Sequence, residues 1–166
     1  MKKFLLVIAL AAIIATGTVF ADHPSGFGIG VQGGGVNGWT GGFNMGYDAA
    51  LTLKLPGVPI FWTINIDGLG WGYLGITLAG DYYLIDKQLV SILHWYLGIG
   101  GYVNLVFIDP LVFGLGARLP IGLSLQPTEM LEFYLQVVPT IGVNIGSGSG
   151  TIGGGWGGNL GIRFWF

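Results

Sequence analysis

Apolar residues alternate with small or polar residues along most of the chain, with the two-residue period of a β-strand. The pattern is clearest in residues 156–166 at the C-terminal end. One face of this segment is apolar and aromatic: Trp156, Leu160, Ile162, Phe164 and Phe166. The other face is mostly glycine and carries a single charge, on Arg163. Such a segment predicts a strand with one face toward lipid and the other toward a cramped polar lumen.

Eight segments of the sequence show this alternation. The predicted strands cover approximately residues 26–34, 42–55, 60–67, 73–84, 91–103, 111–125, 132–145 and 156–166. Strands of about ten residues separated by turns are typical of membrane barrels. The sequence therefore predicts an all-β fold, an eight-stranded antiparallel up-and-down transmembrane β-barrel. Because proline cannot donate to a ladder, we expect a bulge at Pro120.

The predicted connections differ between the two ends of the barrel. Those at residues 55–59, 85–90 and 126–131 carry proline or polar residues, whereas the others are rich in glycine. If both termini are periplasmic, the first set is periplasmic as well, and the outward aromatic residues then form a girdle at each end. Every ionisable residue assigned to a strand falls on the inward face, as the cost of placing charge in lipid requires.

The first residues have the composition of a secretory signal peptide. Lys2 and Lys3 precede an apolar run over residues 4–15, and the small residue Ala21 completes a cleavage site. We therefore assign residues 1–21 to a signal peptide cleaved after Ala21, and residues 22–166 to the barrel domain. The expected location of the exported protein is the bacterial outer membrane.

Composition agrees with membrane strands rather than membrane helices. Hydrophobic residues make up 52% of the sequence and charged residues 8%, yet beyond residue 21 no apolar run approaches the roughly 20 residues of a spanning helix. Four basic minus eight acidic residues leave the barrel domain a formal charge of about −4. With no basic patch, nucleic acid is not an expected partner. The sequence has no cysteine, which excludes disulfide bonds.

The closing segment Ile162-Arg163-Phe164-Trp165-Phe166 resembles the C-terminal signature of small bacterial outer-membrane barrels, typified by the transmembrane domain of OmpA and by OmpX. The combination of short loops, a very high glycine content and the segment at residues 118–123 is also similar to an uncharacterised family of small spirochaete outer-membrane barrels. The resemblance implies that the barrel-assembly machinery reads Phe164 and Phe166. We expect a monomer surrounded by outer-membrane lipid, with no cofactor.

The inward ionisable residues form the candidate site, a charge network in the lumen. Its predicted members are Asp48, Asp81, His94, Arg118, Glu132 and Arg163. A turn at residues 85–90 would place Asp81 opposite His94. Arg163 in the last strand would meet Asp48 of the second strand or Glu132 of the seventh, and either pair would tie the seam at which the barrel closes.

The sequence does not decide whether the lumen is filled or contains a pore or pocket. An eight-stranded barrel is normally filled by its own side chains, but glycines on the inner faces of several strands could leave a narrow pore or a ligand pocket. Asp67 and Asp109 lie near loops and are weak candidates for binding a divalent cation. A solvated rim is the expected role of these two carboxylates, and no metal site is assigned.

His94 is the natural catalytic candidate, because a lumen histidine could act as a general base. Ser91 lies three residues away, however, and therefore on the opposite face, so no catalytic residue is assigned. The sequence favours a non-enzymatic outer-membrane barrel with a structural or narrow-pore role. The alternatives are binding or passage of small apolar ligands, which a resemblance to OmpW would imply, and modification of outer-membrane lipid.

Overall fold

The computed structural model describes residues 26–40, 46–69, 72–146 and 149–166. The predicted signal peptide, its cleavage site and residues 42–45 of the second predicted strand lie outside the described residues. Within the described ranges, no helix is both long enough and apolar enough to cross a membrane.

The described residues form a single antiparallel sheet that closes on itself. Its strands are β1 Gly28–Thr40, β2 Gly46–Lys54, β3 Ile60–Leu69, β4 Leu74–Val90, β5 Leu93–Phe107, β6 Val112–Arg118, β7 Ile121–Thr128, β8 Leu131–Gly146 and β9 Ser149–Trp165. Consecutive strands pair, except that β6 and β7 follow one another end to end and both lie between β5 and β8. β1 pairs with β9 and closes the ring.

With β6 and β7 counted as one crossing of the wall, the sheet is an eight-stranded antiparallel up-and-down barrel, and the predicted fold class is confirmed. The two ends of the barrel are named here by the chain termini. The terminal end holds Phe27 and Phe166, whose backbones exchange hydrogen bonds of 3.0 and 2.8 Å. The opposite end is the distal end.

Side chains alternate between a buried lumen and an exposed exterior, as the pattern predicts. On β9, Leu160 is 64% exposed whereas its inward neighbours Asn159 and Arg163 are 5% and 3% exposed. Large apolar side chains are exposed on every one of the described strands. A soluble protein rarely exposes so continuous an apolar surface, so the exterior is suited to contact with lipid.

β4 is longer than predicted, and its length moves the turn that follows. The alternation predicts a turn at residues 85–90, but β4 continues to Val90 and the chain reverses over the next two residues. The register against β5 shifts at Leu84, and this bulge reverses the alternation. Asp86 therefore faces the lumen and is 2% exposed. β1 and β5 likewise continue through residues predicted to be loops.

The expected bulge at Pro120 is wrong. β6 and β7 pair with β5 in one continuous register, with Gly100 opposite Arg118 and Leu97 opposite Ile121, so two residues intervene on each strand. Pro120 has no N–H to donate to the ladder, but its carbonyl accepts a hydrogen bond of 2.8 Å from the Gly98 N–H. A proline can occupy this position without an inserted residue because only one ladder bond is lost.

Candidate functional site

Aromatic side chains fill the lumen near the terminal end. Their buried rings form one cluster, made of Phe61, Tyr83, Tyr96, Tyr134 and Trp165. Phe61 and Tyr83 stack with ring centroids 4.1 Å apart, and Tyr83 stacks on Tyr96 at 4.6 Å. Trp165 meets the edge of Phe61 at 6.2 Å. We call these five residues, together with Arg163 and Glu132, the terminal layer.

Arg163 lies at the centre of the terminal layer. Its Nη1 donates to Glu132 Oε2 at 2.9 Å, and the indole Nε1 of Trp165 donates to the same oxygen at 2.8 Å. The guanidinium also lies 4.8 Å from the ring centroids of both Phe61 and Tyr134, a distance at which cation–π attraction operates. Glu132 is 0% exposed, so this ion pair is fully removed from water.

Between the two acceptors left open for Arg163, the structure selects Glu132. The two residues are directly opposite in the ladder of β8 and β9. Asp48 is instead in the middle of the lumen, where it interacts electrostatically with Asp67 and Arg118. The sequence could not decide between these partners because inward alternation gives the face of a residue but not its height along the barrel axis.

The partner of Asp81 is Arg118, not His94. Arg118 Nε lies 3.1 Å from Asp81 Oδ1. In the ladders, Gly100 stands opposite both residues, one on each neighbouring strand. A Cβ at Gly100 would fall on Asp81 Oδ1, so the ion pair is formed across the space that this glycine leaves. The expected pairing of Asp81 with His94 is wrong.

His94 faces Asp86, a residue that the sequence placed in a turn. Its Nδ1 lies 3.7 Å from Asp86 Oδ1, and Gln88 is its ladder partner on β4. The pairing with Asp81 fails because the bulge at Leu84 and the later turn move the register by several residues. The only sequence signal for Asp86 was its polarity, which is equally typical of a turn.

Ser124 lies opposite His94 in the ladder of β5 and β7, so the barrel brings an Asp, a His and a Ser to one place. The serine hydroxyl makes no hydrogen bond within the described part of the chain and Ser124 is only 1% exposed. A serine nucleophile needs a hydrogen bond to its base and access to substrate. Ser124 has neither feature in the described structure.

Two tyrosines of the lumen also reach across a glycine to a partner on the next strand, as Arg118 and Asp81 do across Gly100. Tyr96 crosses β7 at Gly122 and donates to Gln136 Oε1 on β8 at 3.0 Å. Tyr134 crosses β9 at Gly161 and donates to Gln32 Oε1 on β1 at 2.9 Å. In both places a Cβ on the glycine would fall on the tyrosine ring. These inner-face glycines are thus filled by a neighbour's ring rather than leaving open space.

The remaining predicted site residues lie on the faces that the alternation predicted for them. Asp48 is 6% exposed and faces the lumen. Phe164 and Phe166 are 46% and 70% exposed on the outer face at the terminal end. Within the described residues, no group of three or more His, Cys, Asp or Glu side chains forms a recognisable metal site.

The closed antiparallel wall, the apolar exterior and the polar, packed interior define an eight-stranded barrel of the outer-membrane type. Comparison with solved structures agrees with this class. The chain is similar to Neisserial surface protein A (NspA), with a TM-score of 0.63 and 13% sequence identity over 84% of this chain and 97% of that one. The N-terminal β-barrel domain of Pseudomonas aeruginosa OprF matches with the same identity and coverage and a TM-score of 0.44. No protein-family model and no curated protein matches the sequence.

Proposed function

We propose that the protein is an integral barrel of the bacterial outer membrane with a structural, non-enzymatic role, and that its lumen is closed at the terminal layer. The observation that carries the proposal is the complete burial of this layer. Tyr96 and Glu132 are 0% exposed, and Tyr134, Arg163 and Trp165 are 2%, 3% and 3% exposed. A lumen so filled supports closure at this level.

The proposal also names the partners of the barrel, which are lipid and the assembly machinery. Outer-membrane lipid covers the apolar exterior, and the barrel-assembly machinery reads Phe164 and Phe166 during insertion. The protein is a monomer in this account. Both outward aromatic side chains at the end of the chain are exposed on the wall, which supports a role in recognition before the barrel is complete.

The narrow-pore and apolar-ligand alternatives are disfavoured by the chemistry of the interior. A pore needs a path through the terminal layer, and the stacked rings and the Arg163–Glu132 pair occupy that level. An apolar ligand needs apolar walls. The rest of the lumen instead presents buried polar side chains, among them Gln32, Asn65, Gln136 and Asn159.

Ion conductance in planar bilayers tests the proposal. The wild-type barrel should give no steady openings, whereas a Tyr83→Gly/Tyr96→Gly variant should conduct, because it removes two stacked rings from the terminal layer. Trp62→Ala is the control: Trp62 points outward and lies outside the layer, so this variant should stay silent. Steady wild-type openings of uniform size would establish the pore instead.

A further inference from the structure

The middle of the lumen holds more carboxylates than cations. Arg118 is engaged by Asp81, whose Oδ1 lies 3.1 Å from its Nε, and no ion pair is formed by Asp48 or Asp67 within the described residues. When Asp48 and Asp67 are both ionised, they leave an excess of two negative charges in this part of the lumen. Asp48 and Asp67 are also direct ladder partners on β2 and β3, with both side chains on the inner side of the wall.

The other cationic residues of the barrel domain are engaged elsewhere. Arg163 is paired with Glu132 in the terminal layer. Lys54 Nζ donates to the carbonyl of Leu55 at 3.1 Å, next to a turn at the terminal end. Lys87 is exposed on β4. Within the described residues, the excess at Asp48 and Asp67 is therefore not offset by a cationic side chain, and buried charges of this kind are normally paired or bound to a metal ion.

A neighbouring amide points its oxygen toward the same place. Gly34 stands between Asn159 and Asp48, opposite both in the ladders of β1 with β9 and β2. A Cβ at Gly34 would fall on Asn159 Oδ1, so this oxygen lies over Gly34 toward β2. Asn159 is 5% exposed and its Oδ1 has no hydrogen-bond partner in the described structure; Asp48 Oδ1 has no side-chain partner there, although the backbone N–H groups of Asp48 and Gly34 act on this carboxylate.

This row differs from the rows built across Gly100, Gly122 and Gly161, in each of which a donor reaches an oxygen. At Gly122 and Gly161 a tyrosine donor reaches a glutamine oxygen, and at Gly100 an arginine reaches a carboxylate. At Gly34, by contrast, Asn159 Oδ1 and Asp48 Oδ1 lie on either side and no side-chain donor reaches either oxygen. Turning the Asn159 amide would present its NH₂ group in place of the oxygen, but it would leave the charge excess unchanged.

We propose that Asp48, Asp67 and Asn159 form a binding site for a divalent cation of the Ca²⁺ type in the lumen. Ca²⁺ takes several oxygen ligands from carboxylates and amides in flexible geometry, and this set offers only oxygen. The hydroxyl of Thr77 donates to Asp67 Oδ2 and would hold that carboxylate in orientation, as partners of metal ligands commonly do. Asn65 Oδ1, buried without a hydrogen bond two residues from Asp67 on the same face, is a further oxygen ligand.

The cation would enter from the distal end. Asp67 is only partly buried and lies near the distal end of β3, whereas the terminal layer closes the other end. The site does not depend on the proposed structural role, because a barrel that conducts ions could hold the same cation. It extends the expected role of Asp67 from a solvated rim to a ligand, and leaves Asp109 outside the site.

Calorimetric titration with CaCl₂ tests the site in the refolded barrel, stripped with EDTA and held in a zwitterionic detergent. The wild type should show one saturable site. Asp48→Asn and Asp67→Asn keep the size of the side chain and remove its charge, and each should weaken binding at least about tenfold. Asp86→Asn removes a buried carboxylate from the terminal half of the lumen and should bind Ca²⁺ as the wild type does. Folding of each variant is checked by its heat-modifiable gel mobility.

Several results would overturn the site. A wild-type titration without saturable heat would do so, as would equal affinity in the wild type, Asp48→Asn and Asp67→Asn, or an equal loss in Asp86→Asn. If a variant fails to fold, the urea midpoint of the wild type decides. CaCl₂ should raise this midpoint relative to NaCl at the same ionic strength, because a ligand bound only by the folded state stabilises it. An unchanged midpoint refutes the site and leaves protons to neutralise the excess charge.

Discussion

At the scale of single residues, glycines decide which side chains can meet inside the barrel. Adjacent strands lie about 4.8 Å apart, so a long side chain can reach across one strand only where that strand presents no Cβ. Gly100, Gly122 and Gly161 provide this space for Asp81, Tyr96 and Tyr134. The high glycine content, 33 residues in all, thus supports a packed polar interior in addition to making turns.

Gly161→Ala should destabilise the folded barrel by about 1 to 3 kcal/mol, because its Cβ would fall on the Tyr134 ring and overpack the terminal layer. Gly158→Ala on the same strand is a matched control, since its Cβ would meet no atom within 4 Å. Urea unfolding of the refolded proteins in lipid vesicles measures both. Equal stability of the two variants would show that the tyrosine does not need the space above Gly161.

Arg163→Met should be the most damaging single loss of charge in the lumen. The substitution leaves Glu132 buried without its cation, at 0% exposure, and losing one partner of a buried ion pair costs about 3 to 5 kcal/mol. Unfolding in urea gives the free energy. The prediction fails if the loss is below about 0.5 kcal/mol, the level of an ordinary surface substitution.

A double-mutant cycle identifies the partner of Arg163 energetically. Combining Arg163→Met with Glu132→Gln should recover part of the loss, because it removes both charges of the pair that lies 2.9 Å apart. Combining Arg163→Met with Asp48→Asn is the control and should give additive losses. Additive losses for Glu132 together with coupling for Asp48 would contradict the geometry.

At the scale of strands, alternation predicted the number of wall crossings and the face of nearly every residue, but not the register. Period two shows which residues face inward, whereas partners depend on where each hairpin turns. The bulge at Leu84 reverses the alternation locally, so Asp86 was missed and His94 was paired with the wrong carboxylate. The layers of the lumen could not be predicted, because they are assembled from strands distant in sequence, such as β3 with β9 and β8 with β1.

The last strand carries the assembly prediction. Phe166→Ser should leave export intact and lower the fraction inserted into the outer membrane, because the strand would lose its terminal apolar contact, including the ring of Phe27 at 6.3 Å, and its recognition signature. Phe113→Ser is the control, since it removes an exposed aromatic side chain from another strand. Surface yield and heat-modifiable mobility report insertion. Equal yields for the wild type and Phe166→Ser would rule out this role.

At the scale of the whole molecule, the barrel combines an apolar exterior with an interior divided into two parts. The terminal part is packed with aromatic rings around a buried ion pair. The part beyond it is polar and holds the unbalanced carboxylates Asp48 and Asp67. Sequence composition predicted the β-barrel wall. A chain with low charge and high hydrophobicity but no long apolar run can cross a membrane only with strands. It did not reveal the packed terminal layer.

Release of a small neutral solute from vesicles tests this closure most directly, because steric closure blocks uncharged molecules as well as ions. Vesicles are loaded with radiolabelled glycerol and reconstituted with the refolded wild-type barrel, with empty vesicles as the reference. The account predicts that the wild type releases the solute no faster than empty vesicles do, because the terminal layer leaves Tyr96 and Glu132 with no exposed surface. Release that rises in proportion to the amount of wild-type barrel would contradict it.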